Sequence, residues 1–155
     1  MDEKQEILER ITPRAVLKAL TTEALEAVPI GQRIDEFIVI RKYPFRIGRE
    51  SRVRTINGKI ERLERPLINN QEPNNNLYLI DQGPLLNISR EHLSIEKDGS
   101  NYVLVDRGSN CGTRVGGNSV GGEDNGGSSV LNDGDVIAIG TLKTPFLYRF
   151  ICLDE

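Results

Sequence analysis

The only histidine of this 155-residue chain, His92, stands three positions after Ser89 in the run Asn87-Ile88-Ser89-Arg90-Glu91-His92. A serine and an imidazole this close raise nucleophilic catalysis, in which a base takes the hydroxyl proton and a third group orients the base. Cys111, in the polar run Ser109-Asn110-Cys111-Gly112-Thr113, offers a thiol as the other nucleophile. Both versions depend on one general base. If Ser89–His92 enters a strand, side chains three apart point to opposite faces, which opposes their contact. A Ser/His or Cys/His hydrolase is therefore the weaker reading, and the chain reads as a protein that is not an enzyme.

Metal and cofactor chemistry fare no better. One histidine and two distant cysteines, Cys111 and Cys152, cannot supply a zinc set at recognised spacing. The acidic runs Glu123–Gly127 and Asn132–Asp135 lack the loop pattern of a calcium hand and read as turns. The glycines of 116–127 lack the Lys-Ser/Thr ending of a phosphate-binding P-loop. No metal and no cofactor are expected.

What remains is anion binding. Gly48-Arg49, Ser89-Arg90 and Ser109-Asn110 each set a donor beside a loop. Arginine forks, hydroxyls and loop N–H groups are what a dianionic phosphate requires, with no proton transfer. Gly48 would let the backbone turn sharply before Arg49.

The elements that must position these groups read as follows. Apolar residues from Ile7 to Val28 recur at three- and four-residue steps, which predicts a helical N-terminal extension over residues 1–30. Thr12-Pro13 looks like an N-cap and first helical position, dividing it into two short helices, and Pro29 and Gly31 close it. Thr21-Thr22 read as caps for a helix starting at Glu23; a phosphorylated threonine there could instead dock in a phosphate site. From Phe37 onward short β-rich runs follow one another: "FIVI", "FRI", "NLYLI", "HLSIE", "YVLVD", "VIAI" and "FLYRFIC". "RKYP" reads as a hairpin connection, and Lys97-Asp98-Gly99-Ser100 as a tight turn. Ile60–Asn76 and Gly116–Ser129 read as long loops. Many short strands at this spacing predict an all-β antiparallel sandwich or barrel.

Bulk composition narrows the partners. Hydrophobic residues make up 37% and charged residues 28%, as in a folded globular domain, and the formal charge of −3 opposes broad nucleic-acid binding. A local basic cluster, Arg46, Arg49, Arg52 and Arg54, survives within that acidic balance. No apolar run is long enough to span a bilayer, and the first residues lack the apolar stretch of a signal peptide. The expectation is a cytoplasmic protein without a disulfide framework, membrane or nucleic-acid partner.

Four blocks then occur in a familiar order: "FRIGRES" (45–51), "SREH" (89–92), "DRGSNCGT" (106–113) and "LNDGDVIAIG" (131–140). Over residues 34–153 the chain resembles the forkhead-associated (FHA) domain family. The resemblance implies a β-sandwich of about 11 strands, with a short helical arm before it, whose loops bind a phosphothreonine-containing protein partner. It implies that Arg49 contacts the phosphate or the peptide beside it. Ser89 would bond a phosphate oxygen through hydroxyl and backbone, and Arg90 would add a peptide or phosphate contact. Asn110 stands where a phosphate-contacting side chain usually lies. His92, Gly48, Ser109, Gly112 and Thr113 would shape and brace the loops. Cys111 departs from the pattern, because it replaces the asparagine whose amide grips the peptide main chain. A thiol cannot reproduce two amide bonds. An FHA-fold scaffold that binds its partner without phosphate is accordingly the alternative.

Overall fold

Alternation of buried and outward residues, seen in Phe37–Ile40 and Asn101–Asp106, is the mark of strands with one face on a core. The computed structural model, which describes residues 2–51, 53–56, 59–62 and 74–153, assembles such strands into a sandwich. One six-stranded sheet contains β1 (Ala15–Ala19), β2 (Phe37–Ile40), β9 (Thr113–Val115), β10 (Asn118–Val120), β12 (Val136–Ile139) and β13 (Leu147–Cys152), in the order β10-β9-β12-β13-β1-β2. The other sheet has five: β3 (Phe45–Arg49), β6 (Leu77–Leu79), β7 (Leu93–Asp98), β8 (Asn101–Asp106) and β11 (Gly127–Leu131), in the order β11-β8-β7-β3-β6. These eleven strands agree with the expected architecture. A separate hairpin pairs β4 (Val53–Ile56) with β5 (Lys59–Arg62). Only β3 and β6 pair in parallel among the described strands.

One apolar cluster joins the inner faces. Leu17, Ile38, Ile137 and Phe150 come from the first sheet, and Ile47, Leu93, Ile95 and Leu104 from the second, all 2% exposed or less. The tight β7–β8 turn forms as expected, with Gly99 at φ +62°. No helix among the described residues is long and apolar enough to cross a membrane.

The N-terminal segment departs from the expected pair of helices. Helix α1 (Glu3–Ile11) is capped by Asp2, whose Oδ1 accepts the Gln5 N–H, and buries none of its residues. Thr12 ends that helix, and Ala15–Ala19 is a strand between β13 and β2. Its apolar run fits either period, and pairing on both edges within the core decides for strand. The second helix, α2 (Thr22–Ala27), is shorter and starts at the Thr21 cap, whose Oγ1 accepts the Ala24 N–H at 3.0 Å.

Two expected loops are also partly strand. Lys59–Arg62 belongs to the β4–β5 hairpin, so Ile60–Arg62 of the expected loop is strand; residues 63–73 of it lie outside the described residues. Within 116–129, Gly116 and Gly117 at φ +56° and +89° form a two-residue turn between β9 and β10, and β11 begins at Gly127. Glycine is what such a turn demands at both places. Finally, "RKYP" carries the chain from one sheet to the other, because β2 and β3 do not pair.

If β1 is part of the core and α1 is not, their leucines respond differently. Leu17→Ala, at a site 1% exposed, should lower the unfolding free energy by about 2–5 kcal/mol. Leu8→Ala, at 58% exposure, should change it by no more than about 0.5 kcal/mol, both read by denaturant unfolding.

Candidate functional site

The segments carrying the sequence blocks meet through hydrogen bonds beyond the strand ends. Their anchor is Asp106, the buried last residue of β8. Its Oδ1 accepts the N–H groups of Gly108 (3.0 Å) and Ser109 (2.8 Å), and its Oδ2 accepts the hydroxyls of Ser109 (2.6 Å) and Thr113 (2.7 Å). Four donors satisfy the carboxylate and fold residues 106–113 into one turn. The Ser109 hydroxyl, having donated to Asp106, accepts the Gly112 N–H at 3.0 Å.

His92 ties this turn to its neighbour. Nδ1 accepts the Ser89 N–H at 2.9 Å, so it carries no proton, and Nε2 donates to the Gly112 carbonyl at 2.8 Å. The two partners fix the neutral tautomer. Burial lowers the imidazole's pKa, against weaker opposing effects of the Gly112 carbonyl and Asp106. Neither ring nitrogen is left open to take a proton from Ser89 or Cys111. Contact between Ser89 and His92 does occur, contrary to the strand-based expectation, because residues 89–92 are loop and β7 begins at Leu93. It runs from backbone to ring, not from hydroxyl to ring.

Two side chains remain for other uses. The Ser89 hydroxyl accepts the Asn110 N–H at 3.1 Å, and its own proton has no acceptor among the described residues. Half-buried Arg49 donates through Nε to the Ile88 carbonyl at 2.9 Å, which leaves its two terminal nitrogens without a described partner. The Arg49 N–H donates to the Ser89 carbonyl at 2.9 Å, so the two residues are held side by side. The expected backbone contact from Ser89 to phosphate has no donor to make it, since that N–H is on His92.

Arg90 is exposed beside Ser89, and its carbonyl lies against Gly48. A Cβ at Gly48 would stand 1.9 Å from that oxygen, so only glycine fits. Exposed Asn110 also accepts the Glu123 N–H through its carbonyl at 2.8 Å. The Cys111 thiol donates to the Leu86 carbonyl at 3.3 Å, and both cysteines are free. Arg46 and Arg49 both lie on β3, three residues apart and so on opposite faces of the strand, while Arg52 and the Arg54 side chain fall outside the described residues. Among the described residues no group of three or more His, Cys, Asp or Glu could hold a metal.

The sequence reading missed the supports. Asp81 accepts the N–H groups of Asn87 (2.7 Å) and Ile88 (3.0 Å) through one oxygen and of Gly83 through the other, setting the path into Ser89. Buried Asn75 donates to the Arg90 carbonyl at 2.7 Å and accepts from Arg107 at 2.6 Å. Arg107 in turn pairs with Glu91 at 3.3 Å. These side chains act mostly on backbone atoms, which no spacing rule advertises.

The buried neutral His92 makes the stability of the loops pH-dependent. Its folded pKa lies below the ordinary 6.5, so the unfolded chain binds the proton more readily. Stability should be full above that value and fall as pH drops below it. Denaturant midpoints between pH 7.5 and about 5 should show this slope, and His92→Gln, though less stable overall, should lose it.

The comparisons come to the same place. The FHA domain of CT664 protein from Chlamydia trachomatis is 18% identical, with 91% of this chain and 99% of that one covered at a TM-score of 0.52. The solution structure of the FHA domain of a hypothetical protein from Arabidopsis thaliana is 22% identical over 93% of this chain and 89% of that one, at a TM-score of 0.53. Mycobacterium tuberculosis EmbR, in complex with a low-affinity phosphopeptide, is 19% identical at a TM-score of 0.51; the match covers 96% of this chain and 28% of that one. No curated protein matches. The model of the FHA domain matches residues 45–140, well over half the chain and the span that holds every residue of the site, and this chain belongs to the FHA-domain family.

Proposed function

We propose that this protein is a non-catalytic reader that binds a phosphothreonine-containing protein partner through Arg49, Ser89, Arg90 and Asn110. The observation that carries this reading is the juxtaposition of Arg49 and Ser89. Among the described residues one arginine edge and one hydroxyl proton are both without a partner, and they are held together by the bond between their main chains. Charged acceptors with several lone pairs suit such donors best. Threonine as the phosphorylated residue is what the family likeness implies, and the EmbR phosphopeptide complex supports a phosphorylated ligand. Two free cysteines agree with a reducing, cytoplasmic setting.

Cys111 supports a second reading, a scaffold that engages its partner without phosphate. Its thiol is spent on Leu86 and offers a peptide main chain no amide.

Peptide titrations separate the two. Phosphate-dependent binding should fall about 10- to 150-fold in Arg49→Ala and in Ser89→Ala, and should weaken with added salt. Cys111→Asn should tighten it by about five- to 150-fold, the return of one or two amide bonds. A parent domain that binds phosphorylated and unphosphorylated peptides alike would leave the scaffold reading standing.

A further inference from the structure

Helix α1 carries one apolar stripe that the domain leaves uncovered. Ile7, Leu8 and Ile11 fall at the steps that share a helix face, at 49%, 58% and 56% exposure. Lys4 continues that face toward the N-terminal end. Leu153, itself 48% exposed, stands across a shallow groove from Leu8 and widens the stripe. A nine-residue helix is marginal in water, and packing of an apolar face is what ordinarily holds one. Here no α1 residue is buried. Among the described residues, one hydrogen bond reaches the helix from the rest of the domain, donated by Arg41 to the Ile11 carbonyl at 2.9 Å.

The charges beside the stripe are self-complementary. Glu3 and Arg10, seven residues apart, lie on the same flank near opposite ends of the helix. Both are exposed, and neither has an ion-pair partner among the described residues, although Glu6 stands four residues before Arg10. When two such helices lie antiparallel with their stripes in contact, like flanks face each other. Glu3 of one copy then meets Arg10 of the other, twice by symmetry. A parallel pair would set each flank against the opposite one and lose both matches. Lys4 would lay its methylene stem over Leu8 and Ile11 of the second copy and keep its ammonium in water.

We propose that α1 is a self-association surface, on which a second copy of this chain packs its own α1 antiparallel in a two-fold pair. The helix joins the sandwich at the end away from the candidate site. Ala15 lies opposite Cys152, whereas Leu147 lies opposite Ala138, next to the Ile139 that pairs with Thr113. The five residues of β13 between those levels span about 17 Å. Pairing through α1 thus leaves both candidate sites open, and it holds whether or not they bind phosphate. Two nine-residue helices fall short of the roughly 1,200 Å² of a stable interface, so the pair is weak and dissociates on dilution.

The test is sedimentation velocity on the whole protein from about 10 μM to about 1 mM. The parent should pass from monomer to dimer over that range, and Ile7→Lys/Leu8→Lys should stay monomeric throughout. Glu3→Arg and Arg10→Glu should each weaken the dimer about two- to 30-fold, since each sets like charges together at two places. An equimolar mixture of those two variants should dimerise about as tightly as the parent, because every pair across the mixed interface again joins opposite charges. Recovery in the mixture also shows that neither variant has misfolded. A parent still monomeric at about 1 mM, or a dimer indifferent to all of these changes, would overturn the proposal. A mixture no tighter than its components would overturn the antiparallel arrangement.

Discussion

The buried carboxylate of Asp106 is the constraint on which the site depends. A carboxylate at 2% exposure is tolerable only when its lone pairs are filled, and four donors from one turn fill them. That requirement dictates the turn's shape, places the Gly112 carbonyl where His92 can reach it, and thereby sets the imidazole. The imidazole then holds the Ser89 N–H, and Ser89 holds Arg49 and Asn110. Each link uses a group that the previous link has oriented. Removing Asp106's charge would leave several donors without acceptors at once, so the network behaves as a unit.

The same chain of bonds explains why a sandwich suits this work. His92 leads into β7 of one sheet, and Gly112 leads into β9 of the other. The ring therefore joins the two sheets at the edge of their shared core. Loops alone would lose the geometry to conformational entropy. Here the sheets fix both ends of each loop, and buried polar side chains fix the middle. The Ser89 hydroxyl and the Arg49 fork are thereby ordered in advance, which would lessen the entropy lost if they bind a ligand as proposed.

The sequence made the site more legible than its frame. Gly48, Ser89, His92 and Thr113 were legible because each is a residue type with a narrow geometric task, such as the Gly48 approach to the Arg90 carbonyl. Ala15–Ala19 was less legible, because a five-residue apolar run fits a helical period as well as a strand, and only pairing with β13 and β2 decides between them. Gly116-Gly117 carried a readable hairpin signal that its glycine-rich surroundings concealed. Asp81 and Asn75 left no trace of their roles, since a side chain that bonds backbone atoms can be supplied from many places in the chain.

Electrostatics and the Cys111 departure bear on each other. A net charge of −3 gives a phosphorylated partner no long-range attraction, so recognition must come from local, partly desolvated donors. Half-burial of Arg49 and the tether on its Nε would serve that end in the proposed reading, because an ordered guanidinium in a drier setting attracts a dianion more strongly than a mobile one in water. In the phosphopeptide reading proposed above, the phosphate would carry a larger share of the affinity and the peptide main chain a smaller one, because Cys111 replaces the family's asparagine. Discrimination among phosphorylated partners would then have to arise from side chains of the partner rather than from its main chain, since the thiol of Cys111 is already engaged with the Leu86 carbonyl.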